Sequence, residues 1–149
     1  MTTTVVSEQK HQERRRDDVV RSLITERTEM LVTYCRLAGV EPFNPPTKSV
    51  HELLQEFCQV LVDYIAAGHF TLYDRLGGKN ERRKELREIA ERVYPRIAES
   101  TDAALAFNDK YSEGNGSLLE LSRDLSRLGE EIAARIDLED KLIGVVASR

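Results

Sequence analysis

The stretch that decides the fold is SVHELLQEFCQVLVDYIAAGHFTLYDRL, residues 49–76. Ser49 followed by Glu52 is a capping-box pattern, in which a serine side chain accepts a hydrogen bond from a backbone N–H at the start of a helix. Gly77 and Gly78 mark the end of that helix. On a helical wheel one side collects the residues expected to face a core: Leu54, Phe57, Leu61, Tyr64, Ile65, Gly68 and Leu72. Gly68 on this side allows a neighbouring helix to approach closely.

Three more segments show the same helical period. The first runs from about Glu13 to Ala38 and stops at Gly39, and the last opens at Ser117 with a second capping box. The third, from about Asn80 to Ser112, contains Pro95, which cannot donate a backbone hydrogen bond. Their expected buried stripes are Val20, Leu23, Ile24, Met30, Leu31, Tyr34, Leu37 and Ala38; Leu86, Ile89, Ala90, Val93 and Ile97; and Leu118, Leu121, Leu125, Leu128, Ile132, Ile136, Leu142 and Val146.

Four long helical segments joined by short turns predict an all-α fold, an antiparallel helical bundle with the third segment kinked or split at Pro95. Residues 1–12 are polar and are expected to form a flexible N-terminal tail, leaving residues 13–149 as a single helical domain.

Composition and charge limit the classes of function expected for this chain. The chain has 149 residues, is 40% hydrophobic and 32% charged, and carries a net charge of −4. This balance argues against direct nucleic-acid binding and suits a basic partner. No apolar run is long enough for a membrane span, and the N-terminus is too polar for a secretory signal, so we expect a cytoplasmic protein. Cys35 and Cys58 fall inside helices and are expected to be free thiols.

The side of the second helix opposite its core face carries an unusual pattern. Glu56, Asp63 and Phe70 are spaced seven residues apart and line up, with Ala67 and Asp74 flanking them and Tyr73 further round. The plain interpretation is a solvated charged face with one exposed aromatic, or a helix buried on both sides. The functional interpretation is a recognition surface, because an aromatic anchor among carboxylates suits a partner with an apolar spot among arginines or lysines.

Catalytic and metal patterns are weak. Asp63 and His69 point roughly 120° apart on one helix, so they cannot form a hydrogen-bonded catalytic pair within it. The histidine and cysteine spacing does not match a zinc site, and we expect no catalytic residues, cofactor or metal. His69 borders the core face and is expected to pack there. One alternative stays open, a helical-bundle protein that binds a small ligand or metal through Asp63 and His69.

Three segments carry a family resemblance. FCQVLVDYIAAGHFTLYDR (57–75), LVTYCRLAGVEP (31–42) and LGEEIAARIDLEDKLI (128–143) resemble the regulator of sigma D (Rsd/AlgQ) family of bacterial anti-sigma factors, and the proline in the third helix is shared. The resemblance implies a non-enzymatic all-α protein that sequesters the housekeeping, sigma-70 type factor, chiefly through its region 4. That region reads the promoter −35 element and docks on core RNA polymerase, so binding would block both uses.

The helical wheel and the motif together assign the site residues, and the motif itself matches at Asp63, Tyr64, Gly68, His69, Phe70 and Tyr73. Asp63, Phe70, Glu56, Ala67, Tyr73, Asp74 and His69 are expected at the partner surface, and Tyr64 and Gly68 are expected to shape the helix from the core side. Ser22 and Tyr94 stand where we would expect tryptophan in this family. If the tryptophan in the first helix contributes to the partner surface, Ser22 would change affinity or partner choice. Contacts with other sigma regions, a second regulatory partner and a weak homodimer through the first helix stay open.

Overall fold

The chain folds into four α-helices. The computed structural model describes the backbone of residues 2–40, 47–71, 84–113 and 116–147, and the side chains of 18–40, 47–71, 84–113 and 116–145. The helices are α1 (Thr2–Ala38), α2 (Val50–His69), α3 (Lys84–Tyr111) and α4 (Leu118–Ala147). All regular structure in these ranges is helical, which confirms the predicted all-α class.

Helix α1 ends as predicted but starts earlier. Gly39 has φ +74°, and its N–H donates to Arg36 O (3.2 Å) while the Val40 N–H donates to Cys35 O (2.9 Å). This pair of bonds is a Schellman motif, which a glycine adopts without steric cost. The helix begins at Thr2 rather than near Glu13. The flexibility of residues 1–12 stays a prediction.

Serine caps begin α2 and α4, as their sequences predict. The Glu52 N–H donates to Ser49 Oγ (3.1 Å), and the Leu119 N–H donates to Ser117 Oγ (3.2 Å). Each bond satisfies a backbone donor that has no partner inside its helix. Helix α2 ends at His69, before the predicted Leu76, and the chain continues into a π-helical turn at Phe70 and Thr71. Leu72 and the predicted stop at Gly77–Gly78 lie outside the described residues.

Helix α3 runs without a break through Pro95. The predicted alternative of two helices divided at this residue is therefore wrong, and a kink at Pro95 stays a prediction. Pro95 is exposed, so the carbonyl that loses its usual donor one turn earlier has access to water.

Pairs of contacting residues show the relative directions of the helices, because residue numbers rise along one helix as they fall along α4. Arg27 of α1 bonds to Asp140 of α4, and seven residues later Tyr34 bonds to Leu125, nearer the start of α4. In α3 and α4, Arg96 pairs with Glu131 and Lys110 with Asp124. This order supports the antiparallel arrangement, which stays a prediction for the bundle as a whole.

The core consists of two apolar clusters. The larger cluster draws on all four helices: Leu23, Met30, Leu54, Phe57, Cys58, Leu61, Tyr64, Ile65, Ala104, Phe107, Tyr111, Leu121, Leu125, Leu128 and Ile132. The smaller cluster has Leu86, Ala90, Val93, Ile97 and Leu142, with Val20 of α1 packed against it. Its members come from α1, α3 and α4, so the described part of α2 packs on the larger cluster.

Two predicted stripe leucines are exposed. Leu31 is 38% exposed and Leu118 is 60% exposed. Leu118 is the first residue of α4, where little of the bundle remains to cover it. Leu31 follows the fully buried Met30 and lies at the edge of the buried face of α1. Ala38, at the end of α1, is exposed for the same reason as Leu118, and Val146 lies outside the described side chains.

We predict that Cys58 is unreactive in the folded protein. Both cysteines are free thiols, and burial raises the pKa of the Cys58 thiol to about 11. Because the thiolate is the reactive form, an alkylating reagent at pH 8 should leave Cys58 unmodified until the protein is unfolded in urea. Peptide mass spectrometry of native and urea-treated samples measures this, and rapid native labelling of Cys58 would contradict it.

Candidate functional site

The outer face of α2 presents the predicted line of residues. Asp63 is exposed, Phe70 is 50% exposed and Glu56 is partly exposed. Tyr64 and Gly68 lie on the opposite, buried side, where the helical wheel places them. Asp63 and Phe70 therefore face solvent one heptad apart, and we call this surface, with Glu56, the outer face of α2. Their role in binding a partner stays a prediction.

The residues predicted to flank the outer face differ in their exposure. Ala67 is partly buried and packs against the larger apolar cluster, so only part of it reaches the outer face. His69, the last residue of α2, is exposed, and its predicted packing at the border of the core face stays a prediction. Tyr73 and Asp74 lie outside the described residues, and their assignment stays a prediction.

The two carboxylates of the outer face differ electrostatically. Glu56 forms an ion pair with Lys48, which partly offsets its charge. Asp63 accepts a hydrogen bond from the neutral amide of Gln59 at 3.2 Å, so this contact leaves its negative charge intact. Asp63 is thus the stronger candidate for attracting a cationic group beside the Phe70 ring.

Directly behind the outer face lies a buried cluster of polar groups. Glu139 is fully buried and Arg135 is 1% exposed. The Tyr64 hydroxyl donates to the Glu139 carboxylate at 2.7 Å, and Arg135 Nε donates to it at 3.1 Å. Arg27 Nη1 approaches the same carboxylate at 3.4 Å. Three groups from three helices therefore converge on a single acid.

The other end of Arg135 is held by α3. Its Nη1 donates to Thr101 Oγ1 (2.8 Å), to Ser100 Oγ (3.1 Å) and, at 3.4 Å, to the Ile97 carbonyl. Arg27 also pairs with Asp140 at 2.8 Å. We call this set the polar layer: Arg27, Tyr64, Ser100, Thr101, Arg135, Glu139 and Asp140. Two cations face two carboxylates, which satisfies the requirement that buried charges be paired.

Burial and pairing act in opposite directions on the Glu139 carboxyl. Burial raises its pKa, while the Tyr64 hydrogen bond and the charges of Arg135 and Arg27 lower it, and the net direction is upward. The pKa of Tyr64 is also raised, first by burial and then by the Glu139 charge, so this tyrosine is a hydrogen-bond donor at all physiological pH values. Each carboxylate oxygen of Glu139 lies 2.7 Å from that hydroxyl.

Gly68 lies against the polar layer. A Cβ added at Gly68 would sit 2.8 Å from Arg135 Nη2 and 3.5 Å from Glu139 Oε2. Gly68 allows a close approach, as predicted. The group that approaches it is the Arg135 guanidinium, however, and not the backbone of a neighbouring helix. The Arg135 guanidinium also lies 5.4 Å from the centre of the Tyr64 ring, within the range of a cation–π contact.

Sequence reasoning missed the polar layer, although a signal was present. Leu128, Ile132, Arg135, Glu139 and Leu142 recur at alternating spacings of four and three, so Arg135 and Glu139 occupy core positions of the α4 stripe. They are also four residues apart, the spacing at which helical side chains meet. A charged pair within an apolar stripe therefore predicts a buried ion pair.

A second polar cluster lies between α3 and α4. Lys110 pairs with Glu120 and Asp124, and the Tyr111 hydroxyl donates to Asp124 at 2.6 Å. The hydrogen bond from Lys110 is the main cause of a lowered pKa at Asp124. The cluster borders an open groove of about 440 Å³, lined also by Ala103, Ala106 and Arg127.

Two further properties bear on the class of protein. No helix in the described residues combines the length and apolar character of a membrane span. Within the same ranges, no three or more His, Cys, Asp or Glu side chains are grouped as metal ligands. The described residues thus form a small helical bundle with an exposed carboxylate, Asp63, and a half-exposed aromatic ring, Phe70, on the outer face of α2.

Comparison with known proteins identifies the family. A family model described as "Regulator of RNA polymerase sigma(70) subunit, Rsd/AlgQ" matches residues 2–147. The chain belongs to this family of sigma-70 regulators. No solved structure gave a significant match.

Individual relatives agree with this assignment. The regulator of sigma D of Yersinia enterocolitica (serotype O:8, biotype 1B) is 36% identical over 122 residues, covering 78% of this chain and 73% of the relative. That of Shigella boydii (serotype 4) is 36% identical over 124 residues, covering 80% and 78%. That of Salmonella arizonae is 36% identical over 124 residues, covering 80% and 76%.

Proposed function

We propose that this chain is an anti-sigma factor that sequesters the housekeeping, sigma-70 type factor, mainly through region 4. Family membership supports the regulatory role. The observation that carries the site is the pairing of exposed Asp63 with half-exposed Phe70 on the outer face of α2. A region that binds DNA phosphate presents arginine and lysine, which this face complements in charge.

The outer face explains how binding would compete with DNA. An arginine of region 4 bonded to the Asp63 carboxylate is unavailable to a DNA phosphate, and charge-assisted bonds of this kind are among the stronger hydrogen bonds. The Phe70 ring would bury an apolar spot beside that arginine, as an interface anchor does. Occupying this surface of region 4 would block recognition of the −35 element and docking on core RNA polymerase, both of which take place in the cytoplasm.

We expect Asp63→Arg to abolish binding to region 4. The substitution places a cation against a cationic partner, and like charges at an interface cost several kcal/mol, a loss of about 100-fold or more in affinity. Isothermal titration calorimetry with purified region 4 and with the full-length sigma factor measures the loss and shows whether other sigma regions contribute.

A matched control variant separates the effect of the substituted position from the effect of the change in net charge. Asp102 is an exposed aspartate on α3, so Asp102→Arg makes the same change of charge away from the outer face of α2. It should bind region 4 within about two-fold of wild type, and both variants should keep the wild-type melting temperature because surface substitutions have small effects. Normal binding by Asp63→Arg would remove the site assignment, and no binding by the wild-type protein would remove the proposed function.

Ligand or metal binding through Asp63 and His69 stays an untested alternative. Metal analysis of untagged protein, and a ligand-induced rise in melting temperature, would be its signatures. A weak homodimer and a further regulatory partner are likewise left to solution experiments.

A further inference from the structure

We propose that Tyr64, Arg135 and Glu139 are positioning residues for sigma binding. They fix the axial position and the rotation of the last two turns of α2, which carry the outer face. This inference rests on the function proposed above. None of the three side chains lies at the surface, since Tyr64 and Glu139 are 0% exposed and Arg135 is 1% exposed. They would therefore act on the partner only through α2.

The first argument is the position of the contacts along α2. Tyr64 directly follows Asp63 in the chain, and its hydroxyl is bonded to Glu139 at 2.7 Å. One helical turn later Gly68 rests on the Arg135 guanidinium, with 2.8 Å between the position of an added Cβ and Nη2. Asp63 and Phe70 flank these two contacts, so any shift of the Arg135–Glu139 pair moves both.

The second argument is that directional polar contacts are added to the apolar packing at this end of α2. Among the described residues, the buried α2 members of the larger apolar cluster run to Ile65, and Ala67 is partly buried against the same cluster. Beyond Ile65, Gly68 lies against the Arg135 guanidinium of the polar layer. Directional hydrogen bonds fix distance and angle, whereas apolar contacts tolerate sliding and repacking.

The third argument is that the layer itself is anchored. Thr101 and Ser100 of α3 hold one end of Arg135, and Arg27 of α1 reaches Glu139. Buried ion pairs contribute little to net stability compared with well-packed apolar residues, so stability alone does not account for this arrangement. A network that joins all four helices at one level instead sets the position of α2 relative to the other three.

The test compares two tyrosines. Tyr64 and Tyr111 are both buried and both donate a hydroxyl to a carboxylate, Glu139 at 2.7 Å and Asp124 at 2.6 Å. Tyr64→Phe and Tyr111→Phe delete the same atom, but Tyr111 joins α3 to α4 and has no hydroxyl bond to α2. Affinity for region 4 is measured by calorimetry at a temperature where circular dichroism shows every variant to be folded.

Tyr64→Phe should weaken region 4 binding about five-fold or more, because a loosened surface must be ordered on binding. Tyr111→Phe should stay within about two-fold of wild type. Hydrogen exchange separates a local effect from a general loss of stability: in Tyr64→Phe only, the amides of residues 63–70 should exchange faster relative to those of α3 and α4. Equal affinities for wild type and Tyr64→Phe, with unchanged exchange, would overturn the proposal.

A second variant covers the case in which Tyr64→Phe does not fold. Thr101→Val keeps the side-chain shape and removes the acceptor that lies 2.8 Å from Arg135 Nη1, without touching α2. It should weaken region 4 binding about two- to three-fold with faster exchange of residues 63–70, and wild-type values for both would overturn the proposal. If the wild-type protein itself fails to bind region 4, the proposed function falls, whereas wild-type binding with unaffected variants removes only this inference.

Discussion

Glu139→Leu is expected to lower the free energy of unfolding by about 3–5 kcal/mol, the range for removing one partner of a buried ion pair. The physical reason is the charge left behind. Arg135 is 1% exposed and keeps only neutral acceptors on α3, while the Tyr64 hydroxyl loses its acceptor. Arg27 is less affected because Asp140 remains 2.8 Å away. Urea unfolding followed by circular dichroism measures the change.

Replacing the whole set should restore most of the loss. The triple variant Tyr64→Phe, Arg135→Met and Glu139→Leu leaves no buried charge and no unpaired tyrosine hydroxyl, and apolar replacements of this kind are often neutral or stabilising. The Ser100 and Thr101 hydroxyls keep a partner in the Ile97 carbonyl. If the triple variant is no more stable than Glu139→Leu, the loss comes from packing rather than from the uncompensated charge.

Glu130→Leu is the matched control on the same helix. Glu130 is exposed, so the substitution should change the free energy of unfolding by no more than about 0.5 kcal/mol. A loss similar to that of Glu139→Leu would show that leucine at any acidic position of α4 is harmful, and would remove the ion-pair explanation.

Phe57→Ala should cost about 3–5 kcal/mol of unfolding free energy, the range for truncating a buried phenylalanine. Phe57 is fully buried, and its ring makes edge contacts with Tyr34 (5.8 Å between centroids) and Phe107 (5.6 Å). It thereby joins α1, α2 and α3 in the larger apolar cluster. Truncation leaves a cavity that these neighbours cannot fill without losing their own contacts.

Phe70→Ala provides the comparison on the same helix. Phe70 is 50% exposed, so its removal should cost about 1 kcal/mol or less of stability and act mainly on sigma binding. The pair of variants separates two functions of phenylalanine within a single helix. A stability loss at Phe70 equal to that at Phe57 would show that Phe70 belongs to the core and would weaken its assignment as a partner anchor.

The helix ends and the two faces of α2 show which features of the structure can be predicted from local sequence. Ser49 and Ser117 cap their helices and Gly39 ends α1, because each outcome depends on bonds within a few residues of the chain. The two faces of α2 follow equally from the helical period, which places Tyr64 on the core side and Asp63 on the outer face. Pro95 shows the limit of such rules, since its chemistry suggested a kink or a division and α3 continues through it undivided.

By itself, then, the sequence determined the all-α class, the caps, the faces of α2 and the family, because periodicity and motifs are properties of the chain alone. The tertiary structure decided what lies behind the outer face. The spacing of Arg135 and Glu139 within the α4 stripe indicates that they are buried, but only the packing of four helices shows which groups they bond to, Tyr64 among them. The reason is physical: a charge can be buried only where partners from other helices converge, and such convergence is not a local property of sequence.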